Sequence, residues 1–154
     1  MSEVIRIHKA DLGCGWNKKP GFYGVDIDAS FKPDMCCDLT KEFPFGPDCL
    51  DEVYSSHFLE HIPADKVKVV MDGIAISCIS GAKVEIKVPL NFKDPSHQQI
   101  LGYDWIRELM EIVPKTMVLW DYRIEIIHTT SILPHEMGKP FSYEQATIIF
   151  RVIK

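Results

Sequence analysis

The chain has 154 residues with average apolar and charged fractions, no biased tract and a net charge of −5, which fits one ordinary globular domain spanning 1–154. Its basic residues are scattered singly, which argues against a nucleic-acid backbone held by a broad positive surface. No secretory signal opens it, no apolar run reaches membrane-spanning length, and five cysteines without C-x-x-C spacing fit reduced thiols in a cytoplasmic protein.

An alternating run over residues 4–12 reads as a first strand and ends in Gly13 and Gly15, one residue apart. Residues 22–27 read as a second strand ending in Asp26 and Ile27, residues 34–39 as a third and residues 50–56 as a fourth, with Pro/Gly-rich segments between them. Pro63 opens a helix predicted to run to about residue 80, with Val67, Val70, Met71, Ile74 and Ile79 at helical spacing and Gly81 as its stop. A fifth strand follows over 82–88, then a loop, a helix over 103–113, a long strand over 115–128, a loop over 129–141 and a last strand over 145–153. Trp105 and Trp120 sit at core spacing.

The connections 15–25, 28–35 and 40–50 are too short for the dozen or more residues that a crossover helix between parallel strands requires. Strand patterning agrees. Ala82, Val84, Ile86 and Val88 alternate with Lys83, Glu85 and Lys87, and Val118, Trp120, Tyr122, Ile124 and Ile126 share a side opposite Asp121, Arg123 and Glu125. A sheet covered on both faces shows continuous apolar runs instead. The pattern predicts a nearly two-layer protein, with helices on one face and the other face solvated or docked to a partner or second copy. Solvation is favoured, because the charges on that face are costly to desolvate.

Glycine is needed where a strand turns sharply or backbone approaches a ligand closely, and a carboxylate ending the next strand is placed to accept from two ribose hydroxyls. Asp11-Leu12-Gly13-Cys14-Gly15, Val25-Asp26-Ile27-Asp28, Cys37-Asp38-Leu39 and Tyr54-Ser55-Ser56-His57-Phe58-Leu59-Glu60-His61 together resemble the small class I, Rossmann-like methyltransferases that use S-adenosyl-L-methionine. The similarity continues through Val88-Pro89 and Asp94-Pro95-Ser96-His97. The resemblance implies an α/β Rossmann-like sheet, mostly parallel with an antiparallel last strand, with reduced helices on one face. It implies that the Gly13, Cys14 and Gly15 backbone lines the methionine part of the cofactor, that Asp26 with Ile27 meets the ribose, and that Asp38 and Leu39 meet the adenine. Asp11 would steady the loop or meet the cofactor ammonium through water. Asn17 stands near the position of the family's third glycine, a departure from its pattern.

Ser55, Ser56 and His57 lie at the carboxyl end of the fourth strand, where open α/β sheets bind ligands. By resemblance this position faces the methyl group. No Asn/Asp-Pro-Pro-aromatic run occurs here, unlike the amine and base methyltransferases that carry one. Glu60 and His61 suit acid or base work on a hydroxyl acceptor, or equally helix capping and packing. His97 is a candidate acceptor contact or proton shuttle, or a surface histidine. His57 to His61 also spells H-x-x-E-H, the inverted zinc-protease motif, which needs both histidines on one helix face and a third ligand. Pro63 follows too soon for that helix, so no metal site is expected.

The resulting expectation is methyl transfer to a small-molecule or sugar acceptor, with His57, Glu60, His61 or His97 as any base. The alternative is a non-catalytic S-adenosylmethionine or S-adenosylhomocysteine binder, or partner subunit, of the same fold.

Overall fold

Short apolar segments separated by turn residues assemble into one seven-stranded sheet in a computed structural model that describes residues 6–130 and 140–154. The strands are β1 (Lys9–Leu12), β2 (Tyr23–Asp26), β3 (Met35–Cys36), β4 (Leu50–Ser56), β5 (Cys78–Leu90), β6 (Met117–Thr130) and β7 (Pro140–Val152), in the order β3-β2-β1-β4-β5-β7-β6. Neighbours from β3 to β5 run parallel, and β7 lies antiparallel between β5 and β6. Helix α1 (Ala64–Ser77) joins β4 to β5, and α2 (Trp105–Ile112) joins β5 to β6. As the short connections require, the segments after β1 and β3 hold no helix, and the one after β2 holds a single 3₁₀ turn, Ala29–Phe31.

Several boundaries differ from expectation. The first strand starts at Lys9, where pairing with β4 begins; residues 4 and 5 of the expected strand lie outside the described residues. The third strand shrinks to two residues because its flanks make turns instead. Asp34 Oδ2 accepts from the Gly24 N–H and the Lys18 ammonium, both at 2.7 Å, and Asp38 Oδ1 accepts from the Thr40 N–H at 3.0 Å. Helix α1 stops at Ser77, since Cys78 already pairs with Leu50. Ile79 therefore belongs to β5, and Gly81, at φ 88°, marks the irregularity in the β4–β5 ladder rather than the helix end. The expected loop over 129–141 contracts because the β6–β7 ladder continues to Thr130 and Pro140; its residues 131–139 lie outside the described residues.

Register assigns the two faces. Ala10, Leu12, Val25, Val53, Val84, Ile86, Ile148 and Phe150 are fully buried in one cluster with Val67, Val70, Met71 and Ile74 of α1 and Trp105 and Leu109 of α2. The opposite face carries an ion-pair chain: Lys9–Glu52 at 3.3 Å, Lys83–Glu85 at 3.1 Å and Lys87–Glu85 at 3.7 Å. Such partly exposed pairs add little stability each, but they keep this face polar. Asp11 shares it, buried beneath the loop after β1, where its Oδ2 accepts from the Lys19 N–H at 2.8 Å. Burial pushes its carboxyl up to about 6, with the Lys19 N–H and charge opposing that rise.

Edge strand β6 departs from simple alternation. The ladder shifts between Leu119 and Asp121, so Leu119 opposite Phe150 shares a side with Tyr122 opposite Ile148, whereas Val118 lies opposite Arg151. The bulge turns Trp120 out, 69% exposed, with the Arg151 guanidinium 6.0 Å from its ring centroid. Trp120 is thus not a core residue, because one inserted residue reverses every side chain that follows.

Two outcomes follow from this packing. Ile74→Ala, at a position 1% exposed, should lower the unfolding free energy by about 2–5 kcal/mol; a denaturant midpoint close to the parent's would show that α1 does not carry the core. Asp11 binds its proton more tightly folded than unfolded, so its contribution to stability falls as pH rises from about 4 to about 6. Asp11→Asn should gain stability relative to the parent across that window and hold a constant difference above it. A difference that does not vary with pH would contradict the buried carboxylate.

Candidate functional site

Strands β1, β2, β3 and β4 end on one edge, and the strand order reverses at β1, which leaves a crevice between the loops that diverge there. The Gly13 and Cys14 N–H groups both donate to the Val25 carbonyl, at 2.8 and 3.1 Å, folding the loop back over β2. Gly13 sits at φ 67°, and a Cβ there would lie 2.5 Å from the Phe58 ring. Only glycine meets both conditions. Asp26 ties the two loops together: Oδ2 accepts from the Gly15 N–H at 2.9 Å and Oδ1 from the Asp28 N–H at 3.0 Å. Each oxygen keeps acceptor capacity, and the carboxylate stands on the wall of a cleft of about 610 Å³.

Gly13, Gly15, Asp26, Ile27, Asp38, Leu39, His57 and His61 all line that cleft, so most of the residues singled out from the sequence meet in one place. Asp11, Cys14, Ser55, Ser56, Glu60 and His97 do not line it. Cys14 and Ser55 are buried, Ser55 in register with Ile86 and its hydroxyl without a partner among the described residues. The sequence reading did not assign Asp28, Phe31, Cys37, Thr40, Phe58, Ile62, Pro63 and Ser96 to the walls. Asp28, Cys37, Phe58 and Ser96 stood inside motifs already singled out, whereas Phe31, in the 3₁₀ turn after β2, is a residue that no spacing rule marks.

At the far end of the cleft the chain leaves β4 through His57, held at φ 56° with its N–H donating to the Lys87 carbonyl at 2.9 Å. His57 Nε2 lies 2.8 Å from Gln145 Oε1 and 3.3 Å from the Tyr143 hydroxyl. Tyr143 belongs to an aromatic group with Phe92 and Phe141, ring centroids 5.6 to 5.9 Å apart. Residues 59–61 form a 3₁₀ turn, so His57 and His61 do not share a helix face and the zinc-protease geometry is not formed.

Glu60 is buried at 1% exposure, and neither carboxylate oxygen has a hydrogen-bond partner among the described residues. His57 Nδ1 stands 3.7 Å and His61 Nε2 3.8 Å from its Oε1. Burial raises the Glu60 carboxyl to about 8, and burial likewise lowers His57 and His97 from their ordinary values. The loop bearing His97 is fastened over this turn. Asp94 Oδ1 accepts from the Ser96 N–H and hydroxyl, the Gln98 and Gln99 N–H groups donate to the Glu60 carbonyl, and Gln99 Nε2 donates to the Leu59 and Ile62 carbonyls.

No family model matches this sequence, and no curated protein matches it. Solved structures share its fold. A S-adenosylmethionine-dependent methyltransferase from Methanosarcina mazei aligns at a TM-score of 0.71 with 11% identity, over 97% of this chain and 94% of that one. One from Archaeoglobus fulgidus aligns at 0.67 with 16% identity, over 94% of this chain and 86% of that one. Phosphoethanolamine N-methyltransferase 2 from Haemonchus contortus, in complex with S-adenosylhomocysteine, aligns at 0.63 with 13% identity, over 99% of this chain and 50% of that one. With this strand order, its antiparallel β7 and helices on one face, the chain has the class I, Rossmann-like fold of S-adenosylmethionine-dependent methyltransferases.

Proposed function

We propose that the chain binds S-adenosylmethionine in the cleft beneath Gly13 and transfers its methyl group to a small-molecule or sugar acceptor held at the His57 end. The observation that carries this reading is the meeting of the Gly13 turn, the Asp26 carboxylate and the Asp38-Leu39 segment on one cleft, in a fold whose solved relatives use that cofactor. The cleft volume of about 610 Å³ is within the range typical of small-ligand sites. The residues present fit the cofactor: Asp26 has acceptor capacity for ribose hydroxyls, Leu39 and Phe31 give apolar wall, and the Gly13 turn keeps side chains clear of the loop.

When bound, the cofactor supplies a methyl group already activated by its sulfonium, so no protein nucleophile is required. The protein's work is alignment of the acceptor, which supplies much of the rate. Outside the cleft's own lining, Tyr143 packs edge-on against His57 and against Phe92 and Phe141, an apolar group open to an acceptor that reaches past His57, which Gln145 holds in place. The net charge of −5 and the ion-paired outer face support a small acceptor over nucleic acid, and support solvent rather than a partner on that face.

Titration calorimetry with S-adenosylmethionine and S-adenosylhomocysteine tests the reading. The parent should bind both, and Asp26→Ala should weaken each by about tenfold or more, since it removes charged hydrogen bonds. Gly13→Ala, which drives a Cβ into Phe58, should weaken binding too while thermal unfolding confirms a folded protein. If a folded parent binds neither ligand, methyl transfer is excluded. Binding without release of S-adenosylhomocysteine from any panel of sugars, phenols and amines would favour the non-catalytic alternative.

A further inference from the structure

Beside the cleft, imidazoles face the buried Glu60 carboxyl, neither of whose oxygens has a hydrogen-bond partner among the described residues. His61 Nδ1 lies 3.1 Å from the Ser96 carbonyl oxygen and His97 Nδ1 3.4 Å from the Phe92 carbonyl oxygen. A carbonyl can only accept, so Nδ1 carries the proton in both rings and Nε2 is left as a lone pair. His61 Nε2 points at Glu60 Oε1 from 3.8 Å. One ligand atom from each of Glu60, His61 and His97 lies within 4.8 Å of the others. A buried carboxyl without hydrogen-bond partners is costly, and no partner meets the imidazole lone pairs beside it among the described residues. A cation seated among these atoms meets both needs.

We propose that Glu60, His61 and His97 bind a divalent transition-metal ion, whose remaining coordination positions, on the side where His61 lines the cleft, take an oxygen of the methyl acceptor. Two imidazoles and a carboxylate suit zinc, manganese, iron or cobalt better than calcium or magnesium, and three protein ligands leave positions open. The Ser96 and Phe92 carbonyls fill the part played by outer partners in established metal sites, fixing tautomer and ring orientation. Ligand atoms around an ion with bonds of about 2.1 Å stand roughly 3.0 to 3.4 Å apart in octahedral or tetrahedral geometry, so seating the ion draws the two histidines inward. The ligand set is not the protease motif. His57 stays with Gln145, and His97, 36 positions beyond His61 in the numbering, takes the third place. The site deepens the methyl-transfer reading by selecting acceptors with a metal-binding oxygen, and for that acceptor it rests on that reading.

The test uses tag-free, chelator-treated protein titrated with Co²⁺ and followed by visible absorption, with Zn²⁺ calorimetry in parallel. The parent should take up one equivalent. His97→Ala, on a surface loop, and Glu60→Gln should each weaken uptake by at least about tenfold, the loss typical even of outer partners of metal ligands. Absence of saturable uptake by the parent, or uptake unchanged in His97→Ala, overturns the proposal. S-Adenosylhomocysteine is titrated separately into the same samples. Its binding without Co²⁺ uptake removes the metal site and leaves the methyl-transfer reading, whereas Co²⁺ uptake without its binding supports the site and removes that reading.

Discussion

Everything at the functional edge follows from the reversal of strand order at β1. The chain builds β2 and β3 to one side, then crosses over to place β4 and β5 on the other. Parallel strands end on the same edge, so the loops leaving β1 and β4 part company and a crevice opens between them. The Gly13 turn, the Asp26 carboxylate and the His57 exit come from three different strands, and this reversal is what brings them to a common cleft. Asp26 then holds the arrangement, since its two oxygens clamp the Gly15 and Asp28 amides.

The loss of helices from one face has a compensating logic. A fully wound sheet buries both faces and needs apolar residues on each. Here the bare face carries lysine and glutamate in alternating register across β1, β4 and β5, and the loop after β1 covers only Asp11 and its neighbours. Most of the apolar burial is concentrated between the sheet and two helices. The consequence is a protein that keeps the fold it shares with a chain of about twice its length, the Haemonchus contortus structure of which it covers half, with one main hydrophobic layer.

The turn after β4 concentrates the polar cost. Glu60 is more deeply buried than the histidines around it, and its backbone carbonyl anchors the loop that carries His97. A carboxylate in such a place destabilises the fold unless something positive or hydrogen-bonding meets it. That the loop is stapled there by Gln98 and Gln99 means the cost is held in a fixed geometry, next to the wall of the cleft, instead of relaxing into solvent.

Local chemistry was legible in the sequence by itself: the glycine turn, the carboxylate ending β2, the short crossovers and the alternating charges of β5 are patterns that backbone sterics and burial impose within a few residues. Those patterns determined the fold class, the bare face and half of the cleft's lining. Strand ends were not legible, because they depend on where a neighbour stops pairing; β3 shortened around Asp34 and Asp38, and Gly81 moved from helix stop to ladder irregularity once Cys78 paired with Leu50. The bulge at Trp120 inverted a register that simple alternation could not detect. Tertiary structure alone decided that His97 comes to Glu60 and His61, and that Tyr143, with Phe92 and Phe141 against it, stands beside His57. Contacts between residues several dozen positions apart arise from loop docking and strand pairing, which no local period records.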